Sequence, residues 1–437
     1  MATVIQEKLH GMQISKTQAS PTEVKLVISA SSPELESVKK HVLGHFARSV
    51  KVPGFRPGKA PADLIEKNVD QRAFLDEFLE HAMNGLYRKA MESEGLRPTA
   101  QPKVQVKKFV PFTDLEFEVE TEVIGKVSLP SYKTTKVPKP KIMVGAKDVN
   151  EVLKNLQTRM ADREEVQRAA KDGDEVTIDF SSRDEKGRPV TGAEGKDHPI
   201  ILGSKQFIPG FEENLIGLTA NQKKQFVITF PKDYTVKALQ GKLVTFEVEA
   251  KKVSKLERPK LDDGLAAKAG PFKTLVELKA DVKKQLKLER EQNAKQAYEN
   301  EIISRIANNS TVDIPKSMID EQVMSMEEEE KRNLAYRGQT WQEHLAEEGI
   351  TEEQHRERHR PQAEARVKAG LVLSEIAEKE GIKVTPEELE IRLQLLKGQY
   401  KDPTMQAELD KPEAKNDIAS RLLTEKTIEK LVGYAAK

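Results

Sequence analysis

Val176-Thr177-Ile178-Asp179-Phe180, Phe226-Val227-Ile228-Thr229-Phe230 and Val244-Thr245-Phe246-Glu247-Val248 place an apolar residue at every second position. That is the period of a strand with one buried face. All three runs fall in one segment, from Glu175 to about Val253, so the middle of the chain is a compact β-rich domain. Between the first two runs lie Ile201-Leu202-Gly203 and Phe207-Ile208-Pro209-Gly210-Phe211-Glu212, dense in apolar and aromatic side chains. Taken singly, each of these is ordinary core.

Upstream, strands and helices mix. Val24 to Ala30 reads as a strand, and Ser32-Pro33-Glu34 as an N-cap followed by a first-turn proline. A helix to about Val50 follows, with Val38, Val42, Leu43 and Phe46 at helical spacing. Two prolines and two glycines in Lys51-Val52-Pro53-Gly54-Phe55-Arg56-Pro57-Gly58 end it. A second helical stretch runs from Ala62 to about Glu94, and Val104 to Phe109 and Leu115 to Val123 read as paired strands. A lysine-rich linker surrounds Pro130, Pro138 and Pro140, and the stretch from about Lys147 to Arg168 reads as helix.

Downstream, a second linker surrounds Arg258-Pro259 and Asp262-Asp263-Gly264. Everything after about Pro271 reads as helix: Phe272, Leu275, Val276, Val282, Leu286, Ile302, Ile303 and Ile306 recur at helical spacing. Asp313-Ile314-Pro315 opens another helix, Gly381 stands where one ends, and Thr385-Pro386-Glu387-Glu388 carries a capping box.

At 437 residues there is room for about three domains of ~150 residues each. Charged residues at 33% against aromatics at 5% imply much solvated helix rather than one large core. A net charge of +1 excludes whole-molecule polyelectrolyte behaviour, so any nucleic-acid contact must come from a local patch. With no cysteine, disulfides, thiolate zinc sites and a cysteine nucleophile are excluded. Met1 to Lys8 lacks the layout of a signal peptide, and no run of ~18 apolar residues occurs, so a soluble cytoplasmic protein is expected.

One such patch exists. From Val38 to Ala62 there is no acidic residue but six cations: Lys39, Lys40, Arg48, Lys51, Arg56 and Lys59. A glycine-held loop presenting Phe55 beside Arg56 suits phosphate contact with an aromatic packed on a partner. Gly54-Phe55-Arg56-Pro57-Gly58-Lys59-Ala60-Pro61 resembles the ribosome-docking loop of trigger factors, Gly-Phe-Arg-x-Gly-x-x-Pro. Phe55, Arg56, Gly58 and Pro61 match it position by position; Pro57 stands where many members carry lysine. The resemblance implies that Gly54, Phe55, Arg56, Pro57, Gly58 and Lys59 bind the large ribosomal subunit, its protein and rRNA near the exit tunnel.

The middle segment resembles the FKBP-type prolyl isomerases throughout. Ile201-Leu202-Gly203 and Phe207 to Glu212 match that family's strand–turn–helix stretch, with Phe211 where free-standing members usually have tryptophan. Phe180 and Phe246 match the aromatics of the first and last strands, and Phe230-Pro231-Lys232-Asp233-Tyr234 the loop with an Asp-Tyr pair; Val236 replaces a second tyrosine. Val190-Thr191 stands in place of the family's Phe-Asp pair, so the pocket lacks one aromatic wall and one acceptor. The implied site is Phe180, Val190, Thr191, Phe207, Ile208, Phe211, Tyr234 and Phe246. No cofactor is implied. Turning an X–Pro bond means crossing ~18–20 kcal/mol, and a dry apolar hollow favours the less polar twisted amide without any nucleophile.

The helical half carries Met318, Met324 and Met326, adaptable side chains suited to varied partners. Leu371 to Leu389 is similar to a stretch of the trigger-factor C-terminal domain. The fold that follows is multidomain α+β: an N-terminal α+β ribosome-docking domain (1–125), a linker (126–160), a β-rich FKBP-like domain (161–255) and an all-helical C-terminal domain with arms (256–437). The implied partners are the ribosome and nascent or unfolded polypeptides, with no membrane and with a homodimer left open.

Two rival readings are a free-standing isomerase and an assembly factor acting off the ribosome. No Gly-x-x-x-x-Gly-Lys-Ser/Thr loop occurs, so ATP-driven action has no support. His355 and His359, four apart with Arg356 and Arg358 between them, read as a solvated face, as do His41 and His45; Glu327 to Glu330 reads as a solvated acidic run. No metal site is expected.

Overall fold

The computed structural model describes residues 5–9, 11–56, 59–190, 193–234 and 239–436. They form two compact units, one from 1–137, 301–330 and 356–437, the other from 138–300 and 331–355. Among the described residues no helix is long and apolar enough to cross a membrane.

The first unit begins with an antiparallel sheet of order β1-β2-β3-β5-β4, made of β1 (Ile5–Leu9), β2 (Met12–Ser20), β3 (Glu23–Ser31), β4 (Lys103–Val110) and β5 (Asp114–Glu122). The strands around Val24, Val104 and Leu115 are those the alternation marks. β1 and β2 escaped notice, because after Met12 and Ile14 the apolar alternation of β2 gives way to polar residues.

The sheet is covered by α1 (Ser32–Phe46) and α3 (Gln71–Ser93), while α2 (Ala62–Asn68) packs its Ile65 against Val42 and Leu43 of α1 and Phe74 of α3. Phe78, Ala82 and Leu86 of α3 pack on Ile14, Leu26, Ile28 and Phe117. Two expectations fail in detail. The N-cap of α1 is Ser31, without a side-chain cap bond. The stretch 62–94 is two helices, because the Asp70 carboxylate takes the N–H groups of Arg72 and Ala73 and starts α3 afresh.

In the second unit α4 (Ala146–Arg159) ends nine residues before Arg168, and β6 (Asp162–Glu165) follows it. Four charged residues favoured helix locally, but pairing of Asp162 to Glu165 with Glu257 to Ser254 overrides that preference. The β domain comprises β7 (Glu175–Asp184), β8 (Gly195–Ile201), α5 (Phe211–Leu215), β9 (Lys223–Thr229) and β10 (Leu243–Glu257). The sheet order is β6-β10-β7-β8, with β9 also paired to β10. The inward rows Val176/Ile178, Phe226/Ile228 and Val244/Phe246/Val248 close one core over α5.

The remaining helices are α6 (Asp263–Ala269), α7 (Leu275–Asn308), α8 (Lys316–Tyr336), α9 (Trp341–Glu348), α10 (Glu352–Lys379), α11 (Pro386–Lys397), α12 (Pro403–Glu408) and α13 (Pro412–Ala435). Asp262 caps α6 rather than lying in a linker. Thr385 and Glu388 form the capping box, and Gly381, at φ 63°, terminates α10.

Two acidic and histidine readings are corrected. Glu327 is buried and paired to Arg356 at 2.6 Å, not solvated. His355 is buried edge-on to Trp341 at 4.7 Å. The proline-rich linker is anchored within the first unit: the Tyr132 hydroxyl donates to Glu380 Oε1 at 2.6 Å, and the Tyr434 hydroxyl to Oε2 at 2.7 Å. The Lys133 ammonium pairs with the same carboxylate at 2.8 Å.

Candidate functional site

The β domain encloses a hollow of about 240 Å³ lined by Phe180, Ala193, Gln206, Phe207, Ile208, Phe211, Phe230, Tyr234 and Phe246. Among the described residues, no ionisable side chain other than the Tyr234 phenol lines it. Its floor is Phe211, fully buried, with ring centroids 4.9 Å from Phe207, 5.2 Å from Phe246, 5.4 Å from Phe226 and 6.0 Å from Phe180. Tyr234 stands edge-on to Phe230 at 4.7 Å.

One side chain sets the wall. Glu212, buried in the first turn of α5, accepts from Ser204 Oγ (3.1 Å) and from the backbone N–H groups of Lys205 (3.0 Å), Gln206 (2.9 Å) and Phe207 (3.2 Å). Burial alone would raise this carboxyl, but the N–H groups of Lys205 and Phe207, the Ser204 hydroxyl and Gln206 N–H together lower it below the usual range. A charge held this way fixes the 204–207 turn that carries Phe207 and Ile208. Three consecutive N–H groups are spent on Glu212; the next, of Ile208, meets no acceptor among the described residues. Gly210, at φ 92°, makes the bend from Pro209 into α5 in a conformation other residues rarely adopt.

Of the residues singled out from sequence, Phe180, Phe207, Ile208, Phe211, Tyr234 and Phe246 meet at this hollow. Val190 packs on the same core without lining the hollow, its N–H donated to Ser182 O at 3.1 Å. Thr191 and Val236 lie outside the described residues. Phe230, Ala193 and Gln206 complete the lining and were not singled out as site residues. Phe230 was legible as the last apolar position of its strand; Ala193 and Gln206 give no signal in sequence.

The basic loop is held at both ends and open at its tip. Val52 is buried with Val42, Leu43, Ile65 and Phe74, and Phe55 N–H bonds back to Val52 O at 3.2 Å. Gly54 takes φ 85° with open space around it, and Phe55 is 43% exposed. Arg56 and Lys59 are exposed, while Pro57 and Gly58 lie outside the described residues. The charge patch is smaller than the sequence implied: Lys39 is bound to Glu66 at 2.8 Å. Arg48, Lys51, Arg56 and Lys59 make no ion pair among the described residues.

In the helical half, Met326 is core beside Val323 and Ala363, Met318 is half-buried, and Met324 is exposed. Ile391 and Leu395 of α11 are also exposed.

A half-barrel of antiparallel strands over one short helix, enclosing a phenylalanine-lined hollow, is an FKBP-type domain, set here in a larger α+β chain. The family model for FKBP-type peptidyl-prolyl cis-trans isomerase matches residues 166–251. The models described as bacterial trigger factor protein and bacterial trigger factor protein C-terminus match 12–156 and 274–433. The trigger factor of Caldicellulosiruptor bescii is 34% identical over 89% of this chain and 88% of its own. That of Carboxydothermus hydrogenoformans is 32% identical over 97% and 99%. A solved structure of a trigger factor chaperone aligns over 96% of this chain and 99% of its own, with 19% identity and a TM-score of 0.44.

The chain belongs to the trigger factor family. It is thus a ribosome-associated chaperone that binds nascent chains and carries a peptidyl-prolyl isomerase domain. With family matches on both sides of the isomerase domain, the free-standing isomerase reading is set aside.

Proposed function

We propose that the isomerase acts through the hollow of Phe180, Phe207, Ile208, Phe211, Phe230, Tyr234 and Phe246. The observation that carries this is an aromatic cavity lined, among the described residues, by no carboxylate or cation, beside a backbone N–H that meets no acceptor among them. A proline ring seated on Phe211 is stripped of water, and the planar amide loses more solvation there than the twisted one. The Ile208 N–H is free to take a substrate carbonyl oxygen, and the Tyr234 hydroxyl offers a second donor at the rim. With Val190-Thr191 in place of Phe-Asp, the pocket lacks stacking area and a directing acceptor, so turnover is lower than in a domain that has both. A protease-coupled isomerisation assay on a proline tetrapeptide tests this: Phe207→Ala must lower kcat/KM while the domain stays folded.

Docking is assigned to Gly54, Phe55, Arg56, Pro57, Gly58 and Lys59 on the large ribosomal subunit, with Arg56 and Lys59 toward rRNA phosphates and Phe55 toward protein. The support is an exposed aromatic beside cations that lack a partner among the described residues. Emerging chains are shielded by apolar side chains outside the isomerase domain, Met324, Ile391 and Leu395 among them. The work falls to an N-terminal docking domain (1–125), a linker (126–160), the isomerase (161–255) and a helical client-binding region (256–437), in the cytoplasm.

A further inference from the structure

α1 and α3 carry a cluster that no part of the isomerase or docking account uses. His41 and His45 lie one turn apart on α1, Glu77 and His81 one turn apart on α3, and the two pairs meet. His45 Nδ1 stands 3.0 Å from Glu77 Oε1, and His81 Nε2 stands 3.9 Å from the same oxygen. The three imidazole centroids are 4.6, 5.3 and 5.6 Å apart. One ligand atom from each of His45, Glu77 and His81 lies within 4.8 Å of the others.

We propose that His45, Glu77 and His81, with His41 beside them, bind one borderline divalent transition-metal ion of the Zn²⁺, Ni²⁺ or Co²⁺ kind. A tetrahedral ion with bonds of about 2.0–2.1 Å holds its ligand atoms about 3.4 Å apart. His45 Nδ1 and Glu77 Oε1, at 3.0 Å, need only open by a few tenths of an ångström to reach that spacing. His81 is partly exposed and closes the remainder by side-chain rotation. Imidazole nitrogens with one carboxylate select against Mg²⁺ and Ca²⁺, which take all-oxygen shells. Lys39 of α1 is bound to Glu66 and does not compete for the Glu77 carboxylate. His45 is in the last turn of α1, the helix that precedes the docking loop, so a bound ion staples that helix to α3. The signal was invisible along the chain, because His45 and Glu77 are 32 residues apart.

The test is calorimetric titration of the full chain with Zn²⁺, and of Co²⁺ followed by visible absorption. The expected result is one equivalent bound with micromolar affinity, a tetrahedral Co²⁺ spectrum and a metal-dependent rise in Tm. The His45→Gln/His81→Gln variant should bind at least tenfold more weakly with its circular dichroism unchanged. Glu77→Gln, which keeps both imidazoles, gives an independent second reading with a smaller loss. Millimolar affinity in the parent overturns the proposal, and so does undiminished affinity in folded His45→Gln/His81→Gln, which would put the ion elsewhere on the chain.

Discussion

The Glu212 carboxylate accepts the backbone N–H of Phe207 at 3.2 Å, five residues back along the chain. The first turn of α5 thereby positions the ring that walls the proline hollow. Neither residue reacts with anything, so the device is one of geometry: a buried charge held by four donors fixes an aromatic side chain.

Replacing Glu212 by alanine leaves those donors buried without an acceptor, at about 1–3 kcal/mol for such a loss. The expected outcome is a lower Tm for the isomerase domain and a lower kcat/KM on proline tetrapeptides. The sign with pH follows from the lowered carboxyl. Its stabilisation is complete above the ordinary carboxylate value and is lost as pH falls through the folded one. Parent and Glu212→Gln should therefore converge in Tm on acidification; a constant gap between them would show that the charge is not what the turn uses.

Phe211 is a harsher position than its place in the site suggests. Fully buried against four other phenylalanine rings, it is the domain's core as well as the pocket floor. Phe211→Ala should cost about 3–5 kcal/mol and threaten the fold, whereas Phe207→Ala, at a half-buried wall, should lower turnover with little change in Tm. Equal destabilisation by the two would contradict this division between floor and wall.

Restoring Val190→Phe and Thr191→Asp together should raise turnover by supplying the missing wall and acceptor. Val190 borders the same core, so the new ring has a surface to pack on. No gain in the protease-coupled assay, in a folded double variant, would refute the reading of those two positions.

The Glu380 carboxyl, gripped first by Lys133 and then by the Tyr132 and Tyr434 hydroxyls, is held down to about 2. Its folded value lies below its ordinary one, so its contribution is present above about pH 4.5 and disappears as pH falls toward about 2. Glu380→Gln should flatten the fall in Tm of the first unit over that window. An unchanged acid slope would mean that the grip does not hold charge.

Periodicity made the β7, β9 and β10 faces legible, since each turns one apolar row into the domain core. It failed at β6, where Asp162 to Glu165 are all exposed and only pairing with β10 makes a strand. The hollow's aromatics were legible through the resemblance alone, because they come from the middle of β7, the loops before α5 and after β9, the first residue of α5 and the start of β10. Glu212 was visible as a letter but not as an anchor: its partners are backbone N–H groups, which leave no trace in sequence. The buried state of His355 and Glu327 was missed for a similar reason, as both lie in highly charged stretches and owe their burial to contacts across helices.

The central claim, docking through the loop tip, is tested most directly by co-sedimentation of the full chain with large ribosomal subunits. Lys59→Ala should reduce the salt slope of binding by about one. The Phe55→Ala/Arg56→Ala variant changes two exposed side chains and should keep its circular dichroism and Tm. It should remain in the supernatant at moderate salt while the parent pellets. A folded double variant that pellets like the parent at the same salt would contradict the account.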